Sequence, residues 1–324
     1  MKPPKRLEFA NVRTLPLAER KNKVHREDLI APIHPGMSLR EWIEALPRQL
    51  VAVGFRELVQ GLAEVARNGR LFLAMLGGHV IKVGLGPLFV QMVQRGIVNA
   101  IALNGAAAIH DFELALIGGT SEDVQAGLEN GLFGMAEETG RLMNAAIAGC
   151  PEEGFGWALG RMIEQEAFPH REVSVLAAAY RHGVPLTVHV AIGTDIIHQH
   201  PTCDGAKLGA ATFADFQILA QTVTGLEGGA VVNFGSAVLL PEVFLKALTI
   251  VRNLGHPVRR FLAANFDMIQ HYRPGENVVR RPTSLGGRGF QITGHHELMI
   301  PLLFAALLDA LEAPSSDRTP PASP

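Results

Sequence analysis

Cysteine is nearly absent from this chain: Cys150 and Cys203 are the two present among 324 residues. Two thiols do not make a disulfide framework, which points to a reducing compartment and hence to a cytoplasmic protein. Charge imbalance is lacking too. With 29 basic and 31 acidic residues the net charge is -2, so the basic excess that accompanies nucleic-acid binding is missing. No apolar run approaches the roughly 18 residues needed to cross a bilayer, and no membrane partner is expected. The opening MKPPKRLEFANVRTLPLAERKNKVHRED has no apolar h-region and does not read as a secretory signal. The GxGxxG dinucleotide fingerprint, HExxH and paired-cysteine metal motifs are absent as well.

What the chain does have is apolar mass. Hydrophobic residues make up 48% and charged residues 19%, enough for one large domain with a two-sided core. Residues 1–35 are polar, basic-leaning and proline-bearing, and read as an N-terminal arm. Residues 36–311 read as a single domain, and 312–324, with EAPSSDRTPPASP, as a disordered tail. Between the ends, short apolar runs alternate with helix-period segments. LFLAML (71–76), NAIALN (99–104), VPLTVHVA (184–191), AVVNFG (230–235) and RRFLAANF (259–266) read as strands, with FQITG (290–294) a weaker sixth. Most are apolar on both faces, as in a parallel sheet covered by helices on both sides. Residues 87–95, 134–148, 173–182, 213–222, 241–254 and 297–311 read as helices. The alternation predicts an α/β fold: a Rossmann-like, doubly wound, mostly parallel sheet with helices on both faces. Ligands in such sheets sit at the carboxyl ends of the strands.

Five of the six strands end in a turn of unusual composition: GGHVIKVG (77–84), NGAAAIHD (104–111), GTDIIHQHP (193–201), NFGSA (233–237) and TGHHE (293–297). Glycine lets backbone approach a ligand, and a following helix N-terminus offers free N–H groups; the same glycines are also ordinary turn punctuation. Six of the thirteen histidines fall in these turns: His79, His110, His198, His200, His295 and His296. Histidine serves as a general base, a neutral partner of a cofactor or a metal ligand. A metal held by Asp195, His198, His200, His110 and Asp111 is one alternative, but without a supporting signature no metal site is assigned. Lys82 and Lys246 lie in apolar surroundings and fit either a desolvated amine or a snorkelling side chain. The arginine-rich HYRPGENVVRRP (271–282) fits a solvated loop or an anion clamp.

Taken in order, Gly77-Gly78-His79, RGIVNAIALNGAAAIHDFELAL, SVLAAAYRHGVPLTVHVAIGTDIIHQHP, TGLEGGAVVNFGSAV and HHELMIPLL resemble the deoxyhypusine synthase family. The resemblance runs from about Leu50 to Leu311. It implies a deoxyhypusine-synthase-like, NAD-binding fold and a homotetramer with sites shared between subunits. In that match His110 and Asp111 stand at the family's acidic positions. Gly193-Thr194-Asp195 stands at its Thr-Asp motif, Gly235-Ser236 in its glycine-rich strand end, and His295-His296 at its final Asp-Ala pair. The family's nucleophilic lysine has no counterpart in RRPTSLGGRGF (280–290), and an arginine such as Arg288 stays protonated and cannot form the imine. The resemblance therefore implies the NAD pocket without deoxyhypusine synthesis.

The resulting expectation is an NAD-dependent transferase or oxidoreductase working on a small amine or amino acid. Its catalytic residues would be His110, Asp111, His198 and His296. Its cofactor-binding residues would be Gly77, Gly78, His79, Asn104, Gly105, Thr194, Asp195, Gly235, Ser236 and His295. Three alternatives stand beside it: aminobutyl transfer from a polyamine to another acceptor, metal-dependent hydrolysis at the histidines, and a non-catalytic NAD-binding scaffold.

Overall fold

All six apolar runs form strands, and every pairing between them is parallel. The computed structural model describes residues 3–312. The strands are β1 (Phe72–Leu76), β2 (Ala100–Asn104), β3 (Leu186–His189), β4 (Ala230–Phe234), β5 (Leu262–Asp267) and β6 (Arg288–Thr293). They form one sheet in the order β3-β2-β1-β4-β5-β6. The order reverses between β1 and β4, which makes that junction the topological switch point.

Side chains along each strand point alternately to two sides, and two separate cores result. Phe72, Ala74 and Leu76 of β1 pack into one, Leu73 and Met75 into the other. The larger core is closed by α2 (Leu50–Arg67), which follows a short α1 (Leu39–Ala45), by α4 (Gly86–Gln94), which follows a short α3 (Gly78–Lys82), and by the long β2–β3 insertion. That insertion comprises α5 (Gly105–Ile117), α6 (Val124–Glu129), α7 (Glu137–Gly149), α8 (Phe155–Gln165) and α9 (Val175–His182). The smaller core lies under α10 (Gly205–Val223) and α11 (Leu239–Asn253), and under the turns joining β5 to β6. Those turns are α12 (Tyr272–Pro274), a π-helical stretch Gly275–Arg280, and α13 (Arg281–Thr283); α14 (His296–Glu312) closes the larger core. Helices thus cover both faces, as a doubly wound Rossmann-like fold requires. Beneath the switch point the Phe89 ring meets Phe234 and Phe304, each at 5.4 Å, and Phe234 meets Phe266 at 5.4 Å. Truncating such a ring costs about 3–5 kcal/mol, so β4 is firmly anchored just before its glycine.

Two differences from the sequence expectation bear on the site. NGAAAIHD is not a turn: Asn104 caps α5 by accepting from Ala107 N at 2.9 Å, and the helix begins at Gly105. Its asparagine–glycine start looks like punctuation because the capping residue is also a turn former. The closing helix runs on to Glu312, while residues 313–324 of the expected tail lie outside the described residues. The described part of the expected arm is exposed apart from the half-buried Asp28, and the exposed residues include Leu7, Phe9, Val12, Leu15 and Leu17.

Candidate functional site

Because every strand runs the same way, all six carboxyl ends lie along one edge of the sheet, and the predicted turns are collected there. At the switch point the backbones of the β1 and β4 turns touch. Gly77 N donates to Phe234 O at 2.9 Å, and a Cβ on Gly77 would lie 2.4 Å from Gly235 O. Gly235 has φ +69°, and a Cβ there would lie 2.7 Å from His296 Cε1. Only glycine fits both constraints.

His296, at the start of α14, is 1% exposed and lies against Gly235. Its Nε2 is 3.2 Å from Phe266 O and 3.9 Å from Asp267 Oδ1. A carbonyl only accepts, so Nε2 carries the proton and Nδ1 is a bare acceptor. That Nδ1 is buried without a partner. Burial pushes the imidazole pKa down, against the opposing pull of Phe266 O and Asp267, so the ring is neutral at pH 7. The exposed His79 ring stands over it at 5.6 Å between centroids.

His110, on the second turn of α5, faces α3: its pKa is pushed down by burial, with Lys82 and His79 adding to the effect and Glu113 opposing it. Its Nδ1 lies 2.7 Å from Thr120 Oγ1. Asp111 does not join it. Successive helical residues are 100° apart, and Asp111 points the other way, onto the N-terminus of α9. There it accepts from Ser174 Oγ at 2.6 Å, Val175 N at 2.8 Å and Leu176 N at 3.0 Å. Adjacent letters in the sequence are split between the side facing α3 and a helix cap.

A second group stands at the ends of β2 and β3. Asp195 lies over the first turn of α5, where a Cβ on Gly105 would be 2.1 Å from its Oδ2. Burial pushes its carboxyl up to about 6, with the Thr194 hydroxyl 3.5 Å away pulling weakly the other way. His198 Nδ1 accepts from Gly193 N at 3.0 Å and Asp195 N at 3.2 Å. Two backbone donors leave the ring proton on Nε2, which is buried, has no hydrogen-bond partner, and is 3.9 Å from Asp195 Oδ2. His198 is thus a donor where His296 is an acceptor. The two groups adjoin, since Ala106, next to Gly105, packs on Gly78: a Cβ on Gly78 would be 2.8 Å from Ala106 Cβ.

Not every predicted residue offers a free atom here. The Ser236 hydroxyl accepts from Leu240 N at 3.2 Å, starting α11, and Thr194 donates to Ala191 O at 2.7 Å. His295 is exposed, with Nδ1 3.8 Å from Glu297 Oε1. His200 turns away to Thr202, at 2.8 Å, and Glu137, at 3.4 Å. Among the described residues no three His, Cys, Asp or Glu side chains converge so as to hold a metal ion. The Arg288 side chain, at the amino end of β6, meets Glu57, on the far edge from His296. The arginines of 271–282 are also engaged: Arg273 with Glu242, and Arg280 and Arg281 with Glu276.

One feature escaped the sequence expectation. Asn233 donates to Ser236 O at 3.0 Å and to Asn265 Oδ1 at 2.7 Å, and Asn265 donates to Gln270 Oε1 at 2.7 Å. This buried amide chain fixes the β4 turn. Its signal was the asparagine repeated in two otherwise apolar runs, AVVNF and LAANF.

A nucleotide cofactor fits what is present. The glycine contact of Gly77 with Gly235 brings bare backbone to the switch point, His296 Nδ1 and His198 Nε2 are orphaned polar atoms of opposite kind, and Asp195 is an acceptor at the edge.

No family model matches the chain. An ornithine cyclodeaminase from Methanococcus maripaludis is 29% identical over 109 residues, 31% of this chain and 26% of that protein. The ternary complex of AgrE with ornithine and NAD+ superposes with a TM-score of 0.52 and 16% identity, over 80% of this chain and 33% of that one. A protein from Entamoeba histolytica assigned as a deoxyhypusine synthase gives a TM-score of 0.49 and 9% identity, over 85% of this chain and 94% of that one. The chain spans about a quarter of the curated relative's length and a third of AgrE's. The likeness to AgrE is one of fold, and it does not assign this chain to a family.

Proposed function

We propose that this protein binds NAD at the carboxyl edge of its sheet and oxidises or rearranges a small amine-bearing amino acid there, with ornithine the first substrate to try. The observation that carries this reading is His296: a neutral imidazole, almost wholly buried against Gly235 at the switch point, whose Nδ1 has nothing to bind. A buried acceptor left open costs about 1–3 kcal/mol, a penalty that a ligand donor would remove. The names of two similar proteins, an ornithine cyclodeaminase and a complex with ornithine and NAD+, favour an amino acid over other amines.

NAD, when bound, supplies the hydride acceptor. Glycines 77, 78 and 235 let its backbone neighbours approach, and Asp195 accepts from a ribose hydroxyl or a substrate ammonium. His198 Nε2–H donates to a substrate or cofactor oxygen. His79, whose ring stands over His296, and Lys82 lie on α3 beside His110. A neutral histidine takes up the proton that an amine sheds as its carbon is oxidised.

Calorimetry of the dialysed protein with NAD tests the reading. Binding is expected, weakened at least tenfold by Asp195→Ala (~1.4 kcal/mol), and NADH or a deaminated product should form with L-ornithine. Absence of NAD binding would overturn it. NAD binding without turnover across an amino-acid and amine panel would leave a nucleotide-binding scaffold.

A further inference from the structure

The loop after α5 builds something that the cofactor edge does not require. Thr120 Oγ1 lies 2.7 Å from His110 Nδ1 and 2.5 Å from Glu113 Oε2. Thr139, from α7, donates its hydroxyl to the other Glu113 oxygen at 3.0 Å. A hydroxyl has one proton to give, and an ionised carboxylate can only accept. The Thr120 proton is therefore directed to Glu113, and Oγ1 is left to accept from His110. The ring proton must then sit on Nδ1, which leaves Nε2 bare. This is the reverse of His296 and His198, whose backbone partners put the proton on Nε2.

We propose that Glu113 and Thr120 act as a relay that holds His110 in its Nδ1–H tautomer and keeps Nε2 bare as the proton acceptor for the amine chemistry. The inference rests on the proposed function for the chemistry, and on hydrogen-bond geometry alone for the tautomer. When Nε2 takes a proton, the imidazolium is stabilised through the Thr120 hydroxyl by the Glu113 carboxylate; no other bond changes in the relay. His79 and Lys82 on α3 also bear on the ring, and both favour its neutral form. Thr120 and Glu113 are positioning residues, and Thr139 steadies the carboxylate. None of the three was singled out from the sequence.

Nitrogen-15 spectra of the histidine rings in the full chain at neutral pH test the tautomer without any need for activity. With His110 assigned by comparison with His110→Gln, its Nδ1 should be protonated and its Nε2 bare. Thr120→Val should release the ring into a mixture containing the Nε2–H form, and Thr120→Ser should restore the native pattern. Should Thr120→Val not fold, as judged by circular dichroism, Glu113→Gln serves instead and should loosen the same preference. An Nε2–H His110 in the native chain, or a pattern unmoved by these variants, would overturn the proposal. With NAD and L-ornithine, Thr120→Val should lower kcat by roughly tenfold or more, leave KM nearly unchanged and shift the acid limb of the pH profile, with Thr120→Ser recovering all three. Turnover unaffected by Thr120→Val would sink the relay while leaving the proposed function standing. An Nδ1–H His110 in a protein that binds no NAD would do the opposite.

Discussion

Asp111 and Asp195 sit at the N-termini of helices, one inside the β2–β3 insertion and one at the strand ends, and burial pushes both carboxyls up to about 6. Their surroundings differ. Asp111 has both oxygens filled by the Ser174 hydroxyl and two backbone N–H groups of α9. Asp195 has the Thr194 hydroxyl 3.5 Å away, its proton given to Ala191 O, and stands beside His198, whose Nε2 has no partner. One carboxylate is locked into the scaffold, and the other is held at the edge with capacity to spare. A raised carboxyl pKa therefore does not by itself mark a functional residue; the unfilled partners around it do.

The largest break in this comparison should come from the closed side. Asp111→Ala strands two N–H groups of α9 and the Ser174 hydroxyl, and a loss of about 3–5 kcal/mol is expected in urea unfolding. If Asp111 were a site residue spared from structural work, stability would hardly change.

Asp215 sharpens the same point through pH. It is wholly buried, accepting from Gly156 N at 2.9 Å and Val188 N at 2.6 Å, and so ties α8 to β3. Burial pushes its carboxyl up to about 7, from 3.8. The folded chain thus keeps this proton over a range where the unfolded chain has released it. The group's contribution is fully present below about pH 4 and is lost as pH rises to about 7. Asp215→Asn has no such titration. The advantage of the native residue over Asn should shrink by up to about 4 kcal/mol between those pH values, measured by unfolding across the range. A constant difference would mean that the carboxylate is charged throughout.

On the open side, Gly235→Ala joins the two descriptions. A side chain at φ +69° costs about 1 kcal/mol, and the new methyl would force the His296 ring off Phe266 O. A total loss of about 2–3 kcal/mol is expected, together with loss of NAD binding. Unchanged binding would detach His296 from the ligand edge.

How much of this was legible beforehand divides along the same line. The six strands could be read because a helix-covered parallel strand is apolar on both faces, and in LFLAML or AIALN nothing interrupts the run. The ligand edge followed, since parallel strands must end on one side. Which of two neighbouring polar residues faces α3 and which caps a helix was not legible. His110 and Asp111 part company because α5 begins at Gly105, under an asparagine cap that reads as a turn. The relay to Thr120 depends on a loop folding back across α5, and no periodicity encodes that.

His295 carries the smallest effect. It adjoins His296 in the chain and stands in the same strand-end turn, so sequence position alone gives the two equal weight. In space they are opposites: the His295 side chain is 66% exposed, with Glu297 its nearest charge at 3.8 Å, whereas the His296 side chain is 2% exposed. An exposed substitution without a hydrogen-bond partner shifts stability by no more than about 0.5 kcal/mol, and an ion pair of this kind is worth little in solvent. His295→Ala should therefore leave both the unfolding midpoint and NAD affinity unchanged, while His296→Ala weakens both. A marked loss of affinity in His295→Ala with stability intact would mean that the bound nucleotide reaches beyond the buried floor to the outer rim of the turn, and the boundary between closed and open groups would have to be drawn further out.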